Sequence, residues 1–361
     1  MIKNGFSVMV VFLCCILVFS ACGSSPNSAQ NNAAAGRTAA GRVRPAWVDS
    51  VDTVYNKNLY VAAVGTGNDR PMAEKNAFAA LVAIFGQSIQ VDQTVSVTYQ
   101  EAVKSGVTAG WSEDTAIQNT IATSSSMDAL VGAEIKEAWL DSSNNTYYAA
   151  AVMEKGKSVM LYTDMIKANQ EMIANLTNMN QTQKNSLEGF SRYQFAATVA
   201  DINSSYENVL KVIGAAPPPG LRKGDEYRLE AANIAKTIPV AVSVRNDRSG
   251  RIQGALSKSL ADLGLSGGGG NSRYRVEAEL SITEVQLANQ QNKFARYVVD
   301  ASLLDTASGR TVLIPYNING REGHLTVPEA ENRALAAAER KITEEYKDIV
   351  SGYLSKFLRR K

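Results

Sequence analysis

Histidine is nearly absent from this chain, since His324 is the only one among 361 residues. A catalytic serine–histidine or cysteine–histidine pair, or a metal site built from several histidines, must therefore use that residue or does not exist. His324 ends the glycine-rich run Gly320-Arg321-Glu322-Gly323-His324. This run predicts a turn, and we expect a surface or locally hydrogen-bonded histidine there.

Cysteine is confined to the N-terminal end, at Cys14, Cys15 and Cys22. Removal of the segment before Cys22 would leave a single thiol. Neither a disulfide framework nor a cysteine metal cluster could then form. An unpaired cysteine is a reactive liability in an exported protein, and acylation would remove that liability.

The chain also has little net charge and few aromatic residues. The formal net charge is +2, which gives no general electrostatic reason to expect a nucleic-acid partner. Aromatic residues make up 7% of the chain, and no exposed sugar-binding platform or small-molecule substrate is identified. The one dense basic cluster, Lys356 to Lys361, either complements the dipole of a final helix or attracts anionic lipid headgroups.

The N-terminal segment has the order of a secretory signal, with Lys3 ahead of an apolar stretch from Phe6 to Phe19. At about 14 residues, this stretch is shorter than the roughly 20 that a membrane-spanning helix needs. The following run, Val18-Phe19-Ser20-Ala21-Cys22, resembles a bacterial lipobox. That resemblance implies that Cys22 is lipidated, with acyl chains such as palmitate, and becomes the mature N-terminus. The alternative is an ordinary signal peptide cut near Ala21.

Residues 22–44 are rich in serine, asparagine, glutamine, alanine and glycine, which predicts a flexible tether. Beyond it the patterns predict a strand at Leu59–Val64 closed by Gly65-Thr66-Gly67, and a helix that begins at Asn68–Pro71 and reaches Phe85. Four antiparallel strands are expected next. Their ranges are Gln87–Tyr99, Thr115–Ser126, Val131–Leu140 and Thr146–Glu154.

Several runs in this region resemble the lipoprotein-twenty family of bacterial envelope lipoproteins, over about residues 45–155. They are Pro45-Ala46-Trp47-Val48, Tyr60-Val61-Ala62-Ala63-Val64-Gly65-Thr66-Gly67, Ala138-Trp139 and Tyr147-Tyr148-Ala149-Ala150-Ala151-Val152. The same region is similar to the N-terminal part of flagellar assembly protein T. The resemblance implies a lipid-anchored, non-enzymatic envelope protein, and it supplies no catalytic residues.

Residues 157–213 carry apolar residues at spacings of three, four and seven, which predicts an antiparallel helical hairpin. Its methionines, among them Met165 and Met172, are interpreted as core residues, or alternatively as an adaptable groove for a partner protein. After a proline- and glycine-rich linker at 214–223, the order β-α-β-β-β-α is predicted, ending in a long helix from Pro328 to about Leu358.

The fold class is therefore α+β, with two small antiparallel-sheet α/β domains separated by a helical hairpin. The expected segments are a signal peptide at 1–21, a tether at 22–44, a lipoprotein-twenty-like domain at 45–156, the hairpin at 157–213, the linker at 214–223, and a second α/β domain at 224–361.

Four groups of residues contain types and spacings that could support chemistry. Gly65-x-Gly67 lacks the third glycine of a dinucleotide-binding loop, and a tight turn is expected. Gly267–Gly270 is not followed by the Lys-Ser or Lys-Thr pair of a phosphate-binding Walker loop. It therefore predicts a flexible connection between a helix and a strand. The carboxylate pairs Glu134 with Glu137, and Glu277 with Glu279, are expected on solvated strand faces and not in a glycosidase cleft.

The sequence thus predicts a bacterial envelope lipoprotein anchored to the membrane through Cys22, with no cofactor, no metal and no enzymatic activity. Its role would be structural or in recognition of an envelope protein. Gly23 follows the cysteine in place of aspartate, and the outer membrane is the expected location. The alternatives are a periplasmic assembly factor for a surface organelle and a carboxylate-based envelope hydrolase.

Overall fold

The computed structural model describes residues 43–86, 93–104, 130–265, 267–287, 291–307 and 309–358. The predictions for the signal peptide, Cys22, nearly all of the tether and the strand Thr115–Ser126 lie outside these residues.

The N-terminal part of the described chain contains a three-stranded sheet and the helices around it. Its elements are α1 (Ala46–Asp49), a 3-10 turn (Val51–Thr53), β1 (Tyr60–Gly67), α2 (Arg70–Phe85), α3 (Gln93–Lys104), β2 (Ala133–Asp141) and β3 (Thr146–Glu154). The strand order is β1-β3-β2, and both pairings are antiparallel. The predicted hairpin of β2 and β3 is confirmed.

Helix α2 begins where the sequence predicts. The side chain of Asp69 accepts a hydrogen bond from the backbone N–H of Met72, and Pro71 lies in the first turn. The buried residues of α2 recur at spacings of four and pack on one face of the three-stranded sheet, which we call its inner face. They are Ala73, Ala77, Leu81 and Phe85.

The strand predicted for Gln87–Tyr99 is wrong over its described part, because Gln93–Lys104 forms helix α3. The alternation of polar and apolar residues there also fits a helix, since Val95, Tyr99 and Ala102 recur at spacings of four and three. These three residues pack against the largest hydrophobic core. The local pattern allows both the two-residue period of a strand and the 3.6-residue period of a helix, and tertiary contacts decide between them.

The helical hairpin is confirmed. It consists of α4 (Lys155–Thr177), a short α5 (Gln181–Lys184) and α6 (Leu187–Val212). A buried polar network joins it to α3: the hydroxyl of Tyr99 donates to Oδ1 of Asn169 at 3.0 Å, and Nδ2 of Asn169 donates to Oδ1 of Asn203 at 2.8 Å. These buried polar groups satisfy one another, as buried groups must to avoid a large desolvation cost.

The C-terminal part contains a four-stranded sheet with helices on one side. Its elements are α7 (Gly224–Thr237), β4 (Val240–Arg245), α8 (Arg251–Ala261), β5 (Tyr274–Val285), β6 (Lys293–Asp305), β7 (Thr311–His324), α9 (Val327–Leu354) and a 3-10 turn (Ser355–Leu358). The predicted order β-α-β-β-β-α is confirmed, with strands in the order β4-β5-β6-β7.

The prediction of two antiparallel sheets is wrong for β4, which runs parallel to β5. The two strands are joined by helix α8, and such a crossover connection makes neighbouring strands parallel. The pairs β5–β6 and β6–β7 are antiparallel, as hairpins require. The chain is α+β, with one antiparallel and one mixed sheet.

The largest core combines side chains of the hairpin, α7, α8, α9 and the four-stranded sheet. A second core lies between α2, the inner face of the three-stranded sheet and parts of α4 and α6. The described residues belong to one compact unit. The predicted domain boundaries stay predictions.

Candidate functional site

Arg44 lies at the point where the predicted tether meets the folded body. Its guanidinium donates to Asp49 at 2.8 Å and to Asp141 at 3.3 Å. It also lies over the rings of Trp139 and Tyr148, at 5.8 and 5.2 Å from the ring centres. The hydrogen bond to Asp49 raises the pKa of Arg44. Arg44 thus contacts two carboxylates and two aromatic rings at one end of the β2–β3 hairpin.

Residues 45–55 cross the second face of the three-stranded sheet, which we call its outer face, and we name this segment the strap. Trp47 and Tyr55 are its buried side chains, and they pack against Ala150 and Val152 of β3. Val64 of β1 is partly buried against the same cluster. The strap therefore covers an apolar sheet surface that strand alternation places opposite α2.

One carboxylate binds both buried strap residues. Trp47 donates its indole N–H to Oε2 of Glu137 at 2.8 Å, and the Tyr55 hydroxyl donates to Oε1 at 2.8 Å. Burial raises the pKa of Tyr55, and the hydrogen bond to Glu137 raises it further. Glu137 is solvent-exposed, as predicted, but it also binds two residues that lie 90 and 82 positions away in the sequence.

A β-bulge in β2 puts Glu137 on the outer face. Ile135 pairs with Ala151, whereas Glu137 pairs with the adjacent Ala150, so Lys136 is the extra residue. Because strand side chains alternate, one extra residue reverses the faces of all later positions. Glu137, Trp139 and Asp141 therefore all contact the strap or Arg44.

The four-stranded sheet has a polar open face with a groove of about 570 Å³. Two rows of residues in register line it: Ser243, Glu277 and Ser302, and then Arg245, Glu279 and Asp300. Tyr274, Val276 and Leu280 of β5 lie on the covered side. The solvated face predicted for Glu277 and Glu279 is confirmed.

The groove carboxylates are held by neighbouring side chains. Arg245 contacts Glu279 at 2.6 Å, and Arg310 contacts Glu277 at 2.5 Å. Glu279 lies directly opposite Asp300 across β5 and β6, and Asn317 donates to Asp300. Like charges at opposed positions destabilise a sheet, and these donors offset that effect. This arrangement suits recognition of polar or charged groups.

The glycines singled out as a turn before α2 lie inside strand β1, so the predicted tight turn is wrong. A Cβ on Gly65 would come within 2.0 Å of the backbone nitrogen of Ala77, and one on Gly67 within 2.5 Å of that of Ala73. These glycines let the α2 backbone approach the strand closely. The space that a phosphate would need is filled by the helix.

The Gly267–Gly270 loop connects α8 to β5, as predicted. The backbone N–H of Gly268 donates to the carbonyl of Val240 at 3.2 Å, beside the free edge of β4. A Cβ at Gly268 would lie 2.3 Å from the backbone nitrogen of Ala241. The glycine therefore serves close packing between the loop and the strand.

His324 ends strand β7, so the turn predicted for it is wrong. Its backbone pairs with Lys293 of β6, which extends the ladder to that position. Its Nδ1 atom is buried without a hydrogen-bond partner among the described residues. Within these residues no group of three or more histidine, cysteine, aspartate or glutamate side chains is placed to hold a metal ion.

The hairpin methionines Met165 and Met172 are buried in the largest core. This confirms the core interpretation of these residues over the groove interpretation. The sequence reasoning missed Arg44 and the strap contact of Glu137. The strap contact of Glu137 depends on the bulge in β2, and a bulge that reverses the face of a side chain is not visible in the local sequence pattern.

Across the described helices, no segment combines the length and the apolar character that crossing a membrane requires.

No family model matches this chain. No curated protein matches it in sequence. Among solved structures, it is similar to a secreted protein from Helicobacter pylori at 14% identity and a TM-score of 0.40, over 79% of this chain and 98% of that one. A putative lipoprotein from Caulobacter crescentus matches at 21% identity and a TM-score of 0.24, over 31% of this chain and 90% of that one.

A minor lipoprotein from Acinetobacter baumannii matches at 14% identity and a TM-score of 0.25, over 33% of this chain and 93% of that one. These neighbours are described as secreted proteins or lipoproteins. Because their TM-scores lie below 0.5, the likeness carries no conclusion about this chain.

Proposed function

We propose that this chain is a bacterial envelope lipoprotein, anchored in the outer membrane through Cys22 and related to the lipoprotein-twenty family. The observation that carries the proposal is the lipobox-like run Val18-Phe19-Ser20-Ala21-Cys22 behind a short apolar stretch. Cys22 is followed by no other cysteine in the chain. Each buried acyl CH₂ contributes about 0.8 kcal/mol, so several acyl chains hold a protein at a membrane.

The start of the folded body supports this proposal. Arg44 and Trp47 contact Asp141 and Glu137 of β2, directly after the polar segment that would serve as tether. An anchor at Cys22 would then hold the body through some twenty coil residues, which span roughly 25 Å.

The test is metabolic labelling with a fatty acid, combined with separation of the inner and outer membranes by density. The wild type should be labelled and found in the outer-membrane fraction. Cys22→Ser should lose both label and membrane attachment. The matched control is Cys15→Ser, which should behave as the wild type does because Cys15 lies in the removed segment. Equal labelling of Cys22→Ser and wild type would refute the lipid anchor.

We further propose that the folded body acts through structure or recognition and not through catalysis. The open groove supports this role, because its carboxylates Glu277 and Glu279 are bound by arginine side chains and face solvent, an arrangement that suits contact with polar or charged groups of a partner. The hydrolase alternative predicts release of soluble fragments from purified envelope polysaccharide, and loss of that release in Glu277→Gln or Glu279→Gln. We expect no release from the wild type.

The assembly-factor alternative derives from the resemblance to flagellar assembly protein T. It predicts that a deletion strain loses a surface organelle, and that expression of the wild-type chain restores it. Electron microscopy of both strains would test this. An unchanged organelle number would leave the structural or recognition role as the proposal.

A further inference from the structure

We propose that the strap, residues 45–55, opens as a unit and uncovers the outer face of the three-stranded sheet while the rest of the body stays folded. The use of such a device depends on the proposed function, because only an anchored tether would transmit force to the strap.

The strap is attached to the sheet through side chains. Within the part of the chain that the structure describes, its backbone hydrogen bonds join strap residues to one another, as in Val48 to Pro45 at 3.1 Å and Tyr55 to Val51 at 2.9 Å. A strand added to the sheet would instead share a ladder with its neighbour. The strap can therefore leave without breaking any pairing of β1, β2 or β3.

The core beneath the strap is separate from the core under α2. Trp47 and Tyr55 pack with Ala150 and Val152, whereas the intervening residue Ala151 packs on the inner face. Removal of the strap therefore leaves the inner contacts in place. Segments with few buried contacts of their own are the ones that open at lower free energy than the whole protein.

Glu137 couples the two ends of the strap. Its two oxygens accept one hydrogen bond each, from Trp47 and from Tyr55. Loss of either donor leaves the carboxylate held by the other alone, so the two contacts support each other. This coupling makes residues 47–55 release together.

The contacts lie in sequence order from the tether inward: Arg44 first, then Trp47, then Tyr55. Tension that arrives along the chain from the N-terminal side acts on Arg44 before it reaches the others. Once the Arg44 contacts are lost, the tension acts on Trp47 and Tyr55, which Glu137 couples, and these two residues release together.

The experiment is hydrogen–deuterium exchange of the purified full chain in detergent, read by mass spectrometry at several low urea concentrations. In the wild type, peptides covering 47–55 should exchange faster than those of α2 and α9, with a weaker dependence on urea. Glu137→Gln should accelerate exchange of the strap peptides at least tenfold, while α2 and α9 still exchange more slowly than the strap and with a stronger dependence on urea. Glutamine keeps the size of the side chain but replaces one accepting oxygen by an NH₂ group that cannot accept.

Glu134→Gln is the matched control, because Glu134 lies on the same strand, is exposed and forms its ion pair with the neighbouring Lys136 at 2.5 Å. It should exchange as the wild type does. The proposal is overturned if the wild-type strap and α2 exchange at the same rate with the same urea dependence, since the strap would then unfold only with the body. Fatty-acid labelling is independent of this result, so failure of the anchor and failure of the strap are distinguishable.

Discussion

Trp47 and Glu137 are ninety positions apart in the sequence, and the indole N–H of the first lies 2.8 Å from a carboxylate oxygen of the second. Trp47 is 2% exposed, so its N–H would have little access to water if this acceptor were removed. The pair joins the first helix of the described body to strand β2. This hydrogen bond holds the residues that follow the predicted tether against the three-stranded sheet.

Replacement of Glu137 by alanine should destabilise the protein by about 1–3 kcal/mol, because the buried donors of Trp47 and Tyr55 lose their acceptor. Glu134→Ala should cost less than about 1 kcal/mol, as is typical for an exposed ion pair. Urea unfolding followed by circular dichroism measures both. Equal effects of the two substitutions would contradict the role given to Glu137.

Gly65→Ala should destabilise the protein by several kcal/mol or prevent folding. Its new Cβ would lie 2.0 Å from the Ala77 nitrogen and 2.5 Å from the Ala73 carbonyl oxygen, and backbone atoms of a helix cannot move aside cheaply. Gly254→Ala in α8 meets open space and should stabilise by about 0.5–1 kcal/mol through helix propensity. Thermal unfolding of both variants tests the close approach of α2 to β1.

Asp305→Asn should reveal a pH-dependent contribution to stability. Arg273 contacts both Asp305 oxygens, at 2.9 and 2.7 Å, and this pairing lowers the pKa of the Asp305 carboxyl. A folded-state pKa below the unfolded one stabilises the protein at pH values above about 4, and this contribution disappears as the pH falls through the folded-state value.

We expect Asp305→Asn to cost about 1–3 kcal/mol at neutral pH, with the difference from wild type shrinking in acid. The measurement is urea unfolding at a series of pH values. Asp262→Asn is the control, because its carboxylate is half-exposed and lies 3.6 Å from Lys258. A constant difference for Asp305→Asn across the pH range would exclude the ion pair as its cause.

Removal of the hydroxyl group should change the unfolding free energy differently at two buried tyrosines. The Tyr346 hydroxyl has no partner among the described residues, and its ring lies 5.0 Å from that of Tyr316. Tyr346→Phe should therefore be neutral or stabilising. Tyr99→Phe removes the hydrogen bond to Asn169 and should cost about 1 kcal/mol or more. Unfolding free energies that fall equally in both variants would show that the Tyr346 hydroxyl is satisfied.

Most elements of the fold could be read from local patterns. Asp69 and Pro71 marked the start of α2, and strict alternation marked β5. The hairpin helices followed from apolar spacings of three and four. These signals are local, because capping, helical spacing and strand alternation each involve residues only a few positions apart.

The features that the patterns misjudged depend on distant partners. Residues 93–104 are helical because α3 packs on the hairpin, and the glycines of β1 serve a helix that crosses them. Strand β4 pairs in parallel because α8 carries the chain back across the sheet. In each case the deciding contact lies far away along the chain.

The sequence by itself determined the α+β class and the order of most described helices and strands, with residues 93–104 as the exception. It also locates the one cysteine expected to carry a lipid. Only the tertiary structure decided which side chains hold the start of the body in place. One extra residue in β2 turns Glu137 toward Trp47 and Tyr55. The same bulge places Asp141 on the outer face, where it contacts Arg44. Such contacts arise from strand register, which depends on how whole strands pair and not on the residues next to Glu137.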